Sequence, residues 1–282
     1  MELLSFSIMG RKISTLGAFG AFVIAAGLGL WAAQAPVQSQ AAAAATGGRA
    51  AQPLQLATDS GKQRPVVVEL FTSQGCSSCP PADDLLGELA GQPGVLALSF
   101  HVDYWDYIGW KDPFASAQYT ERQRDYAAKL GLRYVYTPQM VIDGLYDAVG
   151  SNRRAVTRTI EESAAAAEPV VVVSLDPENG GQVMLSEGAA PAGGATVWLI
   201  TFDDRLETQV ARGENGGRDL ANFNVVRELR PLGTWTGEAK TFPLDLAAAR
   251  ADGRGGCAVM VQQGRGGPIL GAAVIDLDGE SG

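Results

Sequence analysis

Pro65-Val66-Val67-Val68-Glu69-Leu70-Phe71 is short, β-branched and almost continuously apolar, the pattern of a central strand buried on both faces. A turn, Thr72-Ser73-Gln74-Gly75, leads directly into Cys76-Ser77-Ser78-Cys79 and then Pro80-Pro81-Ala82-Asp83-Asp84-Leu85-Leu86-Gly87-Glu88-Leu89. The two prolines fall where a first helical turn tolerates missing N–H groups, and Leu85, Leu86 and Leu89 recur at helical spacing. A buried strand, a cysteine pair and a helix N-terminus are therefore expected in immediate succession. Free amides and the positive end of the helix dipole stabilise a thiolate there, and the thiolate is the reactive form of cysteine. Two cysteines two residues apart on one turn can close a small disulfide and open it again. A static disulfide clip and half of a zinc site are the other chemistries open to the pair. Zinc needs two further ligands, and with three Cys and one His in 282 residues only Cys257 and His101 remain for that role.

The N-terminus reads as an address. Arg11 and Lys12 precede an almost uncharged apolar run, Ile13 to Trp31, and Ala33-Gln34-Ala35 offers a small-x-small cleavage pattern. Residues 1–35 are expected to be a signal peptide. A retained anchor is the alternative, since the run approaches the roughly 20 residues that span a bilayer. Residues 36–63, rich in Ala, Gln, Ser and Gly, are expected to be a flexible lead. Export implies a periplasmic or secreted protein, where disulfides persist, with no stable membrane insertion after cleavage. A net charge of −9 argues against nucleic acid as a partner.

A second motif lies downstream. Tyr136-Thr137-Pro138-Gln139-Met140-Val141-Ile142-Asp143-Gly144 places a Pro at the entrance to an apolar strand, where its missing N–H costs no ladder bond and its peptide is a candidate for cis. Strand, Cys-x-x-Cys, helix, strand, helix and Thr-Pro-strand is the order of a thioredoxin fold, and the sequence resembles that superfamily at these positions. The resemblance implies a cis Pro138 packed against the disulfide and Thr137 offering its backbone to a partner chain. It implies Cys76 as the exposed nucleophile, Cys79 as the buried resolving thiol and Glu69 as a proton acceptor for Cys79. Glu69 stands one residue further from the first Cys than the superfamily's buried acid. Gly75 replaces its usual Trp, and Ser77-Ser78 provides neither the Pro nor the His found between the cysteines of relatives. A strongly oxidising potential is therefore not expected.

Between the two motifs, Val95 to Val102 reads as a strand. Asp103-Tyr104-Trp105-Asp106-Tyr107-Ile108-Gly109-Trp110-Lys111-Asp112-Pro113-Phe114 follows, with five aromatics and three Asp in twelve positions in a chain only 7% aromatic overall. Two readings stand: a packed loop over the sheet edge, or a substrate platform in which Tyr104, Trp105 and Trp110 contact a partner. His101 reads as a satisfied strand-end histidine. Ala115 to Leu130 carries Tyr119, Arg122, Tyr126 and Leu130 at helical spacing, an amphipathic helix. Phe71 to Asp83, the His-Val-Asp-Tyr-Trp-Asp-Tyr stretch and Tyr136 to Gln139 together resemble one group, the secreted thioredoxin-like family known as domain of unknown function 1223. That family supplies no substrate.

The redox domain is expected to span 64–168 and close with a helix over Glu161 to Glu168. From Pro169 to the end, short apolar runs alternate with glycine-rich turns, as in an all-β sandwich-like second domain over 169–282. Expected strands are Val170 to Leu175, Gln182 to Leu185, Ala195 to Phe202, Glu207 to Ala211, Val225 to Leu229, Ala239 to Leu244, Cys257 to Gln262 and Ile269 to Asp276. Gly213-Glu214-Asn215-Gly216-Gly217-Arg218 matches no phosphate or dinucleotide pattern and reads as a hairpin tip, with a contact surface as its alternative. Cys257 is expected to be buried and inert, and no cofactor is indicated. The fold class is thus an α/β thioredoxin-like domain followed by a β-sandwich-like domain. The expected function is thiol–disulfide exchange with protein thiols or disulfides. A non-catalytic binding module with a structural disulfide and a thiol metal-handling protein are the alternatives.

Overall fold

The computed structural model describes residues 64–166, 168–177 and 181–277; the expected signal segment and lead lie outside the described residues. The chain forms a mixed α/β structure dominated by one large sheet. β1 (Val66–Thr72) runs into α1 (Pro80–Ala90) and returns as β2 (Val95–His101), parallel to β1 in a register pairing Val66 with Val95 and Thr72 with His101. A single 3-10 turn, Asp106–Ile108, interrupts the aromatic segment, and α2 (Ala117–Leu130) follows. Ser116 caps α2 by accepting from the Gln118 amide, and Gly131, at φ 70°, ends it in the left-handed conformation that glycine adopts without cost. β3 (Gln139–Ile142) and β4 (Tyr146–Val149) form an antiparallel pair beside β1, and α3 (Arg153–Ala166) packs behind them.

The C-terminal half departs from a separate sandwich. β7 (Ala195–Gln209) and β8 (Asp219–Trp235) are one long hairpin, and β8 meets β2 in parallel at Ser99 and Val225. With β10 (Gly256–Gln263) and β11 (Ile269–Asp276), they complete an eight-stranded sheet of order β11-β10-β7-β8-β2-β1-β3-β4. Only β5 (Val173–Asp176), β6 (Gln182–Leu185) and β9 (Lys240–Pro243) form a second sheet, alongside the short α4 (Leu246–Ala251). The two halves of the sequence thus share one backbone ladder. Two expected strands, Ala195 to Phe202 and Glu207 to Ala211, merge into β7 because its charged outer half continues the ladder past the core.

Three apolar clusters follow from this arrangement. Val66, Val68 and Leu70 face α1 and α3 through Leu85, Leu86 and Ile160. Val67 and Phe71 face the other way, toward Phe100, Tyr119 and Tyr126. Trp235, Val183 and Val259 fill the space between the two sheets. Gly87 marks where α1 presses on β8, since a Cβ there would lie 2.7 Å from the Phe223 ring, whose face the Arg205 guanidinium approaches at 5.8 Å. Ala is normally favoured over Gly inside a helix by about 1 kcal/mol. At this position we expect Gly87→Ala to lower stability instead, by about 1–2 kcal/mol of overpacking, read as a lower urea midpoint. A higher midpoint would mean that α1 does not press on Phe223.

Candidate functional site

Cys76 and Cys79 close a disulfide at the start of α1. Cys79 is the N-cap residue, its carbonyl accepting from the amides of Ala82 (2.8 Å) and Asp83 (3.1 Å), and the two prolines occupy the first helical positions as their missing donors allow. The Thr137–Pro138 peptide is cis. Gly150 shows how near that proline comes to α1: a Cβ at Gly150 would lie within 3.2 Å of Ala82, Leu70 and Pro138 alike, and its amide donates to the Pro138 carbonyl at 2.9 Å.

The aromatic insert wraps the same loop. Trp105 Nε1 donates to Thr137 Oγ1 at 2.8 Å, Trp110 Nε1 to Gln74 Oε1 at 3.1 Å, and Tyr104 Oη to Gln123 Oε1 at 3.1 Å. A Cβ on Gly75 would sit 3.2 Å from both Trp105 and Ile108, so glycine lets the insert close on the cysteine loop. Asp112 ends the insert as a buried anchor. Its carboxylate accepts from the Gln74 amide (2.8 Å), the Phe114 amide (2.9 Å) and His101 Nδ1 (2.7 Å). Burial alone would raise the Asp112 carboxyl, but His101 and those amides bring it below its ordinary value. Burial likewise opposes a charged His101, yet Asp112 holds that imidazole above its usual value, aided by Asp83 and opposed by Arg227.

Asp83 completes the buried set. It lies one helical turn beyond Cys79, on the α1 face that meets Thr72 and His101 at the ends of β1 and β2. Burial pushes its carboxyl up to about 7, against the pull of His101 and Thr72, with Asp112 and Asp84 adding to the rise. Asp83 Oδ1, Ser99 Oγ and His101 Nε2 are buried without a protein hydrogen-bond partner. Among the described residues, no group of three or more His, Cys, Asp or Glu gathers as a metal site.

Residues 67–262 match the family described as protein of unknown function (DUF1223). The chain belongs to that family. It is similar to the crystal structure of protein AGR_C_4864 from Agrobacterium tumefaciens, at 31% identity and a TM-score of 0.69, over 79% of this chain and 98% of that one. It is also similar in fold to HBP35 of Porphyromonas gingivalis, at 14% identity and a TM-score of 0.52, over 77% of this chain and 76% of that one. No curated protein matches the chain.

In this DUF1223 protein two expected roles need correction. Cys76 is not an exposed nucleophile: both cysteines are fully buried, and only Ser77 and Ser78 of the motif reach solvent. Glu69 is not on the side of β1 that meets α1 and Cys79. Alternation along β1 puts it with Val67 and Phe71, on the face away from α1, where Arg122 holds it at 2.5 and 2.9 Å. Trp105 and Trp110 lie against the disulfide loop while Tyr104 turns to Gln123 of α2, and the polar atoms of all three bond within the protein. Cys257 is buried, and burial pushes its thiol up to about 12. Sequence reasoning missed Asp83, whose i, i+4 spacing from Cys79 on an otherwise apolar face was the available signal. It also missed Asp112 as the partner of His101; Glu214 and Asn215 lie in the glycine-rich stretch read as a hairpin tip with a contact surface as its alternative, and the cysteine loop they bond is not part of that reading.

Proposed function

We propose that this protein is an exported thiol–disulfide oxidoreductase of thioredoxin-like fold, exchanging disulfides with protein partners through Cys76 and Cys79. The observation that carries the reading is a disulfide at a helix N-terminus beside a cis Thr137–Pro138 peptide. The parallel β1–α1–β2 unit and the antiparallel β3–β4 pair support the fold assignment. A partner thiolate attacks Cys76 Sγ, the bond to Cys79 breaks, and a mixed disulfide forms at Cys76. Cys79 leaves as a thiolate at the amide end of α1. Asp83, the buried acid on its helix face, supplies or removes the Cys79 proton. Thr137 is the backbone contact for the partner chain.

A second reading, a structural clip in a non-catalytic binding module, is favoured by the burial of both sulfurs. The two are separated by trapping and by potential. Cys79→Ser is expected to accumulate a mixed disulfide with a partner. Cys76→Ser is expected to trap none and to lose exchange activity by about 10²-fold or more, the scale on which nucleophile removal acts. Full activity in Cys76→Ser sinks the enzyme reading. With Cys257→Ala removing the third thiol, a midpoint within about −120 to −270 mV supports exchange, and one below about −300 mV supports the clip.

A further inference from the structure

Residues 210–218, the connection between β7 and β8, belong by sequence to the C-terminal half but end against the cysteine loop. Asn215 is buried between exposed neighbours. Its Nδ2 donates to the carbonyls of Gln74 (3.0 Å) and Cys76 (2.9 Å), and its Oδ1 accepts from Arg218 at 2.7 Å, so both ends of the amide are engaged. Glu214 Oε2 accepts from the Ser77 amide at 3.1 Å, between the two cysteines. Gly213, at φ 79°, has its α-carbon so near the insert that a Cβ would lie 3.2 Å from Ile108 and 3.3 Å from Trp110. The tip keeps its own shape through backbone bonds from Val210 to Arg218 and from Gly217 to Val210.

A sulfur nucleophile must approach Cys76 Sγ along the line of the S–S bond, and Cys76 has no exposed surface. The tip meets the cysteine loop through a few polar bonds, and segments held by few buried apolar contacts open at lower cost than packed ones. We propose that the β7–β8 tip, held on the cysteine loop by Asn215 and Glu214, is a cover that must move off before a partner thiolate reaches Cys76. This rests on the exchange reading and gives the C-terminal half a role in it. Asn215 is a positioning residue, acting on Cys76 through its carbonyl. With the cover displaced, the partner thiolate forms the mixed disulfide at Cys76 and Cys79 departs as a thiolate and takes up a proton. The partner's second thiolate then attacks its own sulfur in the mixed disulfide and releases Cys76. Two electrons thereby pass from the partner dithiol to this pair, and the partner ends as a disulfide.

The test is the rate at which dithiothreitol reduces the disulfide in the full chain, compared among native, Asn215→Ala and Glu214→Gln proteins. Amide hydrogen exchange at Ser77 and the midpoint potential are measured on the same samples. Asn215→Ala is expected to speed reduction at least about tenfold, for two lost hydrogen bonds to carbonyls, and Glu214→Gln several-fold. Ser77 exchange should accelerate in parallel. Native reduction rates in both variants overturn the cover, whether or not Ser77 exchange changes. If Asn215→Ala does not fold, Glu214→Gln, altered only at an exposed side chain, decides the outcome alone. The exchange reading fails separately: faster reduction with a midpoint in the range of structural disulfides upholds the cover and removes the enzyme.

Discussion

Asp83→Asn is expected to slow exchange about 10²-fold, the usual scale for removing a general acid or base, while making the protein more stable above pH 7. The folded protein holds the Asp83 proton to about pH 7, whereas an unfolded chain releases it near pH 4. The stability contributed by that retained proton is complete below about pH 4 and is lost as pH rises through 7, at most about 4 kcal/mol over the window. Asparagine carries no charge to bury, so the variant should lack this decline and exceed the native protein at pH 8. Asp112 also raises His101 against the effect of its burial, so the comparison is native against variant at each pH rather than one slope. Urea unfolding at pH 5 and pH 8 reads the stability, and the pH profile of disulfide reduction reads the proton. A variant less stable than native at pH 8, with an unchanged profile, would show that Asp83 neither ionises in the fold nor serves Cys79.

How far the sequence spoke for the fold depended on the range of each interaction. β1, the cysteine pair and α1 were legible because Val66–Phe71, Pro80-Pro81 and Leu85/Leu86/Leu89 each carry a local signal. The entrance proline was legible for the same reason, and β6 and β11 appear with the boundaries expected for them. The single sheet was not legible, because its continuity rests on one bridge, Ser99 to Val225, between segments more than a hundred residues apart. β4 was missed because Tyr146–Val149 is four residues long and half exposed, with neither an apolar run nor clean alternation.

The site divides along the same line. The sulfur pair and its proline were readable, but what covers and tunes them was not. Asn215 acts only because a long hairpin ends at the cysteine loop, and its length is set by charged residues such as Asp204 and Arg205 that give no strand signal. Which acid serves Cys79 turns on which face of β1 meets α1, a question that two-residue periodicity poses and only packing answers. Asp83 is buried on α1, and Glu69 is held by Arg122 on the face of β1 away from that helix.

That second acid makes a separate expectation. Arg122 bonds both oxygens of Glu69, Gln262 at 3.1 Å and Tyr126 at 3.0 Å, and Tyr126 also donates to Glu69. The Phe100, Tyr126 and Trp198 rings lie within 5.8 Å of the guanidinium. Arg122→Met would leave the Glu69 carboxylate buried with Tyr126 as its remaining donor. Removing one partner of a buried pair costs about 3–5 kcal/mol, which should lower Tm on the order of 10 °C for a domain of this size. Replacing both, as Arg122→Met with Glu69→Leu, removes the stranded charge and should recover most of that loss. Scanning calorimetry of the two variants checks the order, and a double variant no more stable than the single one would count against the ion pair as the cause. Because Glu69 and Arg122 lie across the sheet from α1, the double variant should keep the native pH profile of disulfide reduction that Asp83→Asn shifts. If the double variant moves that profile and Asp83→Asn does not, Glu69 is the acid of Cys79 after all.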